Sequence, residues 1–250
     1  MIERSEQDGI LTLKLAHGKA SALDLEFLEA LDRALIEAGE SDARAVIVTG
    51  TGSILSAGVD LFRLVDGGAD YAERLYPALT RMCLDLFTLP KPVVMAVNGH
   101  AIAGGAVIAI AGDYKLMVNE KARIGVPELL VGVPLPPMVL ELLRFAVPPQ
   151  HLQSLLYTGR TVPADEALRL GLIDEAVPAE TLLPRAHEVA TQFAALPPDA
   201  FRLAKRQLRD KAVSWMRRYA NEFDRDALES WKNPATHALI REYLAKTVKK

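Results

Sequence analysis

Three short apolar runs constrain this chain more than anything else in it: Ala45-Val46-Ile47-Val48-Thr49, Val93 to Val97 and Tyr114 to Val118. A strand that is apolar on both sides must be covered on both faces, as strands of parallel sheets are. Parallel neighbours need long crossover connections, so helices are expected between the runs. The intervening segments supply them. Leu28, Leu31 and Leu35 recur at helical spacing beside Phe27, Ala34 and Ala38, with Gly39 as a natural stop. A glycine-containing loop and then a helix fill residues 67–92 up to Pro90-Lys91-Pro92, and Val107 to Ala111 reads as a buried helix. Before all of these, Leu11, Leu13 and Leu15 alternate with Thr12 and Lys14 as in a half-buried strand. Beyond about residue 136 the strand signals stop, and amphipathic helices follow, punctuated by Pro197-Pro198 and Asn233-Pro234. The expected architecture is an α/β core over residues 1–190 with a helical region over 191–250.

Composition narrows the class. The 250 residues suffice for a large core, and half of them are apolar. A net charge of -3 makes no electrostatic case for nucleic acid, and no apolar run reaches bilayer length. The opening residues Met1 to Glu6 resemble neither a secretion signal nor an Arg-rich transit segment. The lone Cys83 excludes an internal disulfide framework or a multi-thiolate zinc site, and His17, His100, His151, His187 and His237 lack metal-ligand spacing. A cytoplasmic enzyme without a bound metal is the expectation.

Two glycine-bearing turns, each between a strand and a helix, are the first candidates for chemistry. They are Ser56-Ala57-Gly58-Val59-Asp60-Leu61 and Ala103-Gly104-Gly105-Ala106. N–H groups at a helix start lack intrahelical acceptors and lie at the positive end of its dipole. Two such turns at one sheet edge could point two donors at a single oxygen, the arrangement that stabilises an oxyanion. Neither turn is a phosphate-binding loop, since Gly-x-x-x-x-Gly-Lys and Gly-x-Gly-x-x-Gly are both missing.

Together these segments resemble the crotonase, or enoyl-CoA hydratase/isomerase, family. Leu55-Ser56-Ala57-Gly58-Val59-Asp60-Leu61, Pro92 through Gly105, and Ala122-Arg123-Ile124-Gly125-Val126-Pro127-Glu128 match its successive motifs. Lys19-Ala20-Ser21-Ala22-Leu23 is similar to its N-terminal coenzyme A segment, with Ser21 where Asn is usual, and Gly159 through Asp174 resembles a downstream stretch. The resemblance implies a spiral of β-β-α turns with a C-terminal helical trimerisation region, assembled as a homotrimer or hexamer. It implies an acyl-CoA substrate and no cofactor beyond the coenzyme A that substrate carries. The backbone amides of Val59 and Gly104 would form the oxyanion hole, with Glu128 as acid and base. Ala22 and the segment Val59-Asp60-Leu61-Phe62 would line the coenzyme A site together with Gly104, Asp60 being structural.

One departure from the family pattern selects among its reactions. Hydratases carry a second glutamate three residues after the oxyanion glycine, and here that position is Val107. Water addition needs a water gripped and deprotonated, whereas moving a double bond from the 3,4 to the 2,3 position needs one base. The Asp113-Tyr114-Lys115 segment and the Ile240-Arg241-Glu242-Tyr243-Leu244 tail also look more like the isomerase branch, and the stretch after Glu128 lacks the Gly-rich continuation of hydratases. A Δ3,Δ2-enoyl-CoA isomerase is therefore expected, against a hydratase or other crotonase-type lyase, and against a catalytically silent acyl-CoA-binding trimer. Glu141 is expected at the surface or an interface, although its position would let it serve as a second carboxylate. Cys83 is expected to be a buried small hydrophobe, and Arg202, Lys205, Arg206 and Arg209 a wet basic face. Lys246 to Lys250 reads as a solvated tail in which Lys246 could meet a coenzyme A phosphate.

Overall fold

In the computed structural model, which describes residues 1–247, the chain opens with a β-hairpin: β1 (Ile2–Gln7) pairs antiparallel with β2 (Ile10–Leu15). Its two-residue turn is Asp8-Gly9, both at positive φ (53° and 72°), as a hairpin turn matched to strand twist requires. β1 belongs to the polar opening stretch and carries little apolar signal. As an edge strand it needs burial on little more than its pairing side. Helix α1 (Leu25–Glu40) follows, with the Asp24 carboxylate accepting from Phe27 N–H at 2.8 Å as N-cap. Gly39 lies within its last turn.

The chain then makes three turns of one spiral. Each turn adds a strand to a large sheet, a short strand to a small sheet, and a helix. The first turn is β3 (Ala45–Thr49), β4 (Ile54–Ser56) and α2 (Leu61–Thr88); the second is β5 (Val93–Val97), β6 (His100–Ile102) and α3 (Gly104–Ala111). The third is β7 (Tyr114–Val118), β8 (Ile124–Gly125) and the single-turn helix α4 (Glu128–Val131). Helices α5 (Pro137–Ala146), α6 (Pro149–Thr158) and α7 (Ala164–Arg169) lead to β9 (Glu175–Val177), and α8 (Ala179–Ala194), α9 (Pro198–Lys232) and α10 (Pro234–Thr247) end the described chain. β9 is a strand beyond residue 136, where helices alone are expected. It pairs parallel with β7 but has only three residues, too few to show a period.

The large sheet runs β1-β2-β3-β5-β7-β9, and every pair except the first is parallel. Every residue of β3 and β5 is buried, as the continuous apolar runs demand. The small sheet, β4-β6-β8, is wholly parallel. The expected α/β spiral with a helical C-terminal region is thus the observed fold. Among the described residues no helix is long and apolar enough to cross a membrane.

The basic stripe of α9 departs from expectation. Arg202 and Arg206 are exposed, but Lys205 and Arg209 are 7% and 4% exposed and turn inward onto Asp113. The Asp113 carboxylate accepts from Lys205 Nζ, from Arg209 and from Val93 N–H, at 2.7, 2.7 and 2.8 Å. Arg209 also donates to Ala111 O, Gly112 O and Phe87 O, and lies over the Phe87 ring at 4.2 Å. One guanidinium therefore closes the C-terminal ends of α2 and α3 and joins them to α9. Helical spacing alone cannot reveal this, because the partner carboxylate is far away in sequence. Replacing Asp113 by Ala would strand two buried cations, with an expected loss of about 3 kcal/mol or more in a urea unfolding titration.

Candidate active site

The register of the small sheet assembles the site. Ser56 pairs with Ala101, Ala101 with Ile124, and Ile102 with Gly125. The residues just after each strand therefore leave at one sheet edge: Ala57 to Val59, Ala103-Gly104, and Val126 to Glu128. Carboxyl ends of parallel strands are where such sheets bind ligands.

The first turn is held from below. Ser56 Oγ donates to Ser21 O at 2.7 Å and accepts from Gly58 N–H at 3.1 Å. Leu23 N–H donates to Gly58 O and Asp60 N–H to Leu23 O, at 2.8 and 3.1 Å, a one-residue parallel bridge. This alternation leaves the intervening Val59 amide pointing away from the pair. Ser21, at the position where Asn is usual, is fully buried with φ of 42°, a left-handed conformation that Asn tolerates better.

The second turn presses against the first. A Cβ on Gly58 would lie 2.6 Å from Ala103 Cβ and 2.9 Å from Gly104 N; one on Gly105 would lie 2.1 Å from Ser56 O. Glycine is the residue that permits this approach. Ala103 holds a strained conformation (φ 54°, ψ -127°), pinned by its N–H to Gly125 O at 2.8 Å and by its carbonyl, which accepts from Ala106 and Val107 N–H. Such strain persists where surrounding structure over-determines it, commonly at functional sites. Here it sets Gly104 N–H as the first amide of α3, with no acceptor in its own helix. A Cβ added at Gly104 would sit 3.8 Å from Val59 N, so the two amides are neighbours.

Both amide-bearing residues border one apolar cleft. Val59, Leu61, Gly104, Val107 and Glu128 line it. Among the described residues Glu128 is the only carboxylate in the lining, and its Oε2 is buried with no hydrogen-bond partner among them. Burial raises its pKa to about 7, against a smaller lowering by a backbone hydrogen bond. Val107, one helical turn below Gly104, is 2% exposed and forms apolar wall.

The remaining sequence candidates lie around this cleft. Ala22 borders the Leu23–Val59 bridge, Asp60 caps α2 by accepting from Arg63 N–H at 3.0 Å, and Phe62 is 52% exposed outside the lining. Glu141 is buried rather than at the surface; it faces α9 and pairs with Arg144, away from the cleft. Cys83 is buried, which pushes its thiol up to about 12. Lys246 stands exposed beside Glu242, and the tail residues 248–250 lie outside the described residues. The sequence reading missed Trp231 and Tyr243, which reach the cleft from α9 and α10. Their signal, single aromatics in helices, is the same as that of any core residue.

The three turns of the spiral thus bring the Val59 and Gly104 amides and the Glu128 carboxylate to one apolar cleft. The chain belongs to the enoyl-CoA hydratase/isomerase family, whose profile matches residues 5–243. A putative enoyl-CoA hydratase of Thermus thermophilus is 39% identical over 187 residues, covering 74% of this chain and 72% of that protein. A carnitinyl-CoA dehydratase of Salmonella arizonae is 35% identical over 219 residues, covering 84% and 82%. An enoyl-CoA hydratase structure from Mycobacterium ulcerans superposes with a TM-score of 0.84 at 29% identity, covering 93% of this chain and 99% of that one. The human mitochondrial Δ3,Δ2-enoyl-CoA isomerase shares the fold at a TM-score of 0.93 and 24% identity, covering 98% and 97%. Family membership makes the chain an enzyme of acyl-CoA chemistry.

Proposed function

We propose that the protein is a Δ3,Δ2-enoyl-CoA isomerase with one acid–base group. The observation that carries this reading is the solitary Glu128 opposite Val107: one carboxylate, raised toward neutrality by burial, in an otherwise apolar cleft. The Glu128 carboxylate removes a proton from C2 of a 3-enoyl thioester. The electron pair moves onto the thioester oxygen, where the Val59 and Gly104 amides receive the charge. Each such donor contributes roughly 3–4 kcal/mol to a transition state of this kind. The carboxylic acid then returns its proton to C4, the double bond settles between C2 and C3, and the enzyme regains its starting form. Apolar lining keeps out water that would add to the product, because an ordered water needs polar partners. No cofactor enters beyond the coenzyme A of the substrate.

Water addition is the second reading, favoured by the similarity to a putative hydratase and a dehydratase. One assay separates them: incubation with 3-enoyl-CoA and with 2-enoyl-CoA, following isomerisation against hydration. Isomerisation well ahead of hydration is expected, and hydration at a comparable rate would reverse the order. Acyl-CoA binding without turnover would favour a silent binder. Val107→Glu is expected to add measurable hydration while lowering stability, since a buried carboxylate without partners is costly. Because the reaction starts from the carboxylate, kcat/KM is expected to rise with pH through about 7, the value to which burial brings Glu128.

The same reading assigns the C-terminal helices to assembly as a homotrimer or hexamer. Leu208 and Phe223, 70% and 50% exposed on α9, support it, and sedimentation at equilibrium tests it.

A further inference from the structure

The residues around the cleft sort by exposure. Val59, Leu61, Ile102 and Ala103, on or beside the two amide-bearing turns, are partly exposed, so that side is open. Leu64, Leu79, Val139 and Trp231 are buried to within 4% and form a closed part of the wall, whereas Leu135 and Tyr243 in the same lining are partly exposed. Trp231 is the largest of these and is held by a hydrogen bond as well as by packing. Its indole N–H donates to Pro134 O at 3.0 Å, and its ring stands edge-on to Tyr76 with centroids 5.4 Å apart. Tyr76 in turn donates to Asp224 at 2.7 Å, tying α2 to the same helix that carries the indole. The neighbouring Lys232 is bound to Glu73 of α2 at 2.5 Å. From α10, Arg241 donates to Val65 O at 3.1 Å, a carbonyl close to the break that Gly68 (φ 65°) makes in α2.

We propose that Trp231 sets the acyl chain length: an uncharged aliphatic chain ends against its indole. The inference rests on the thioester reading, since amides holding the carbonyl at the open side direct the chain toward the buried one. An apolar chain is specified because the described residues around Trp231 offer aliphatic and aromatic carbon and no charged group to the cleft. A charged chain end would lose its hydration there without an ionic partner. The wall is tied to α2 and to the loop before α5 by hydrogen bonds rather than by loose packing. It therefore acts as a stop of fixed position rather than a yielding one.

Calorimetric titration of the whole protein with saturated acyl-CoAs, from butanoyl to hexadecanoyl, tests this without any turnover. Affinity is expected to climb with each methylene and then break at one chain length. Trp231→Leu should move the break to longer chains and tighten binding of the first chain past it about tenfold. Trp231→Phe, which keeps a ring against Tyr76, should move it less in the same direction and guards against a variant that fails to fold. A break at the same length in both variants, or no break in the wild type, would overturn the proposal. Tighter binding of a trimethylammonium-capped chain than of its uncharged isostere would also overturn it, and would make Trp231 and Tyr243 a cation site. If the wild type binds no acyl-CoA at all, it is the underlying thioester reading that fails. Binding without isomerisation would remove the isomerase assignment and leave the chain-length stop standing.

Discussion

Glu128→Gln is expected to lower kcat for isomerisation by roughly 10² to 10⁴-fold while leaving the affinity for a saturated acyl-CoA nearly unchanged. The amide keeps the shape of the side chain but neither takes nor returns a proton. Among the described residues the lining holds no other carboxylate to stand in, and Glu141 is engaged with Arg144 on the far side of α5. The same variant has a stability signature of opposite sign. In the folded wild type Glu128 keeps its proton to about pH 7, whereas an unfolded glutamate releases it near its ordinary value of 4.5. Between those values the unfolded chain binds fewer protons, so wild-type stability falls as pH rises through this window. Gln carries no such dependence. Its melting temperature should exceed the wild-type value above pH 7, with the difference shrinking toward pH 4.5. Retention of most of the wild-type rate would contradict the single-base account.

Gly58→Ala should strike the other half of the chemistry. The new methyl would meet Ala103 Cβ at 2.6 Å, and Gly104 N and Ile102 O at 2.9 Å, on a residue already at φ 82°. The clash is with backbone and with a Cβ that has no rotamer to escape by, so the two turns must separate and their amides no longer converge. A drop in kcat/KM of roughly 10² to 10³-fold is expected, the scale of losing one oxyanion donor. Gly52→Ala is the control. Gly52 also has positive φ (59°), but nothing lies within 4 Å of an added Cβ. It should lose about 1–2 kcal/mol of stability from the left-handed backbone and keep its activity. Equal activity losses in the two variants would mean that strain, rather than the meeting of the amides, matters.

What could be read from residues alone follows physical lines. β3 and β5 announce themselves because buried parallel strands must be continuously apolar, and the two turns because close backbone approach demands glycine. Their convergence was legible only through the family resemblance. It depends on β4, β6 and β8, strands of two or three residues whose register lines up Ser56, Ala101 and Ile124. β1 hid in polar sequence, although Asp8-Gly9 is a hairpin signal. Lys205 and Arg209 looked like solvent face because their partner, Asp113, lies about a hundred residues earlier. The far wall at Trp231 arises from packing between helices, and periodicity does not report which core aromatic borders a cavity.

The central claim is that one carboxylate carries a proton from C2 to C4 in a cleft that excludes water. It is tested most directly with a 3-enoyl-CoA dideuterated at C2, reading the label in the product by NMR. The account predicts 2-enoyl-CoA with deuterium delivered to C4 by Glu128. Product with no deuterium at C4, or 3-hydroxyacyl-CoA in its place, would contradict it.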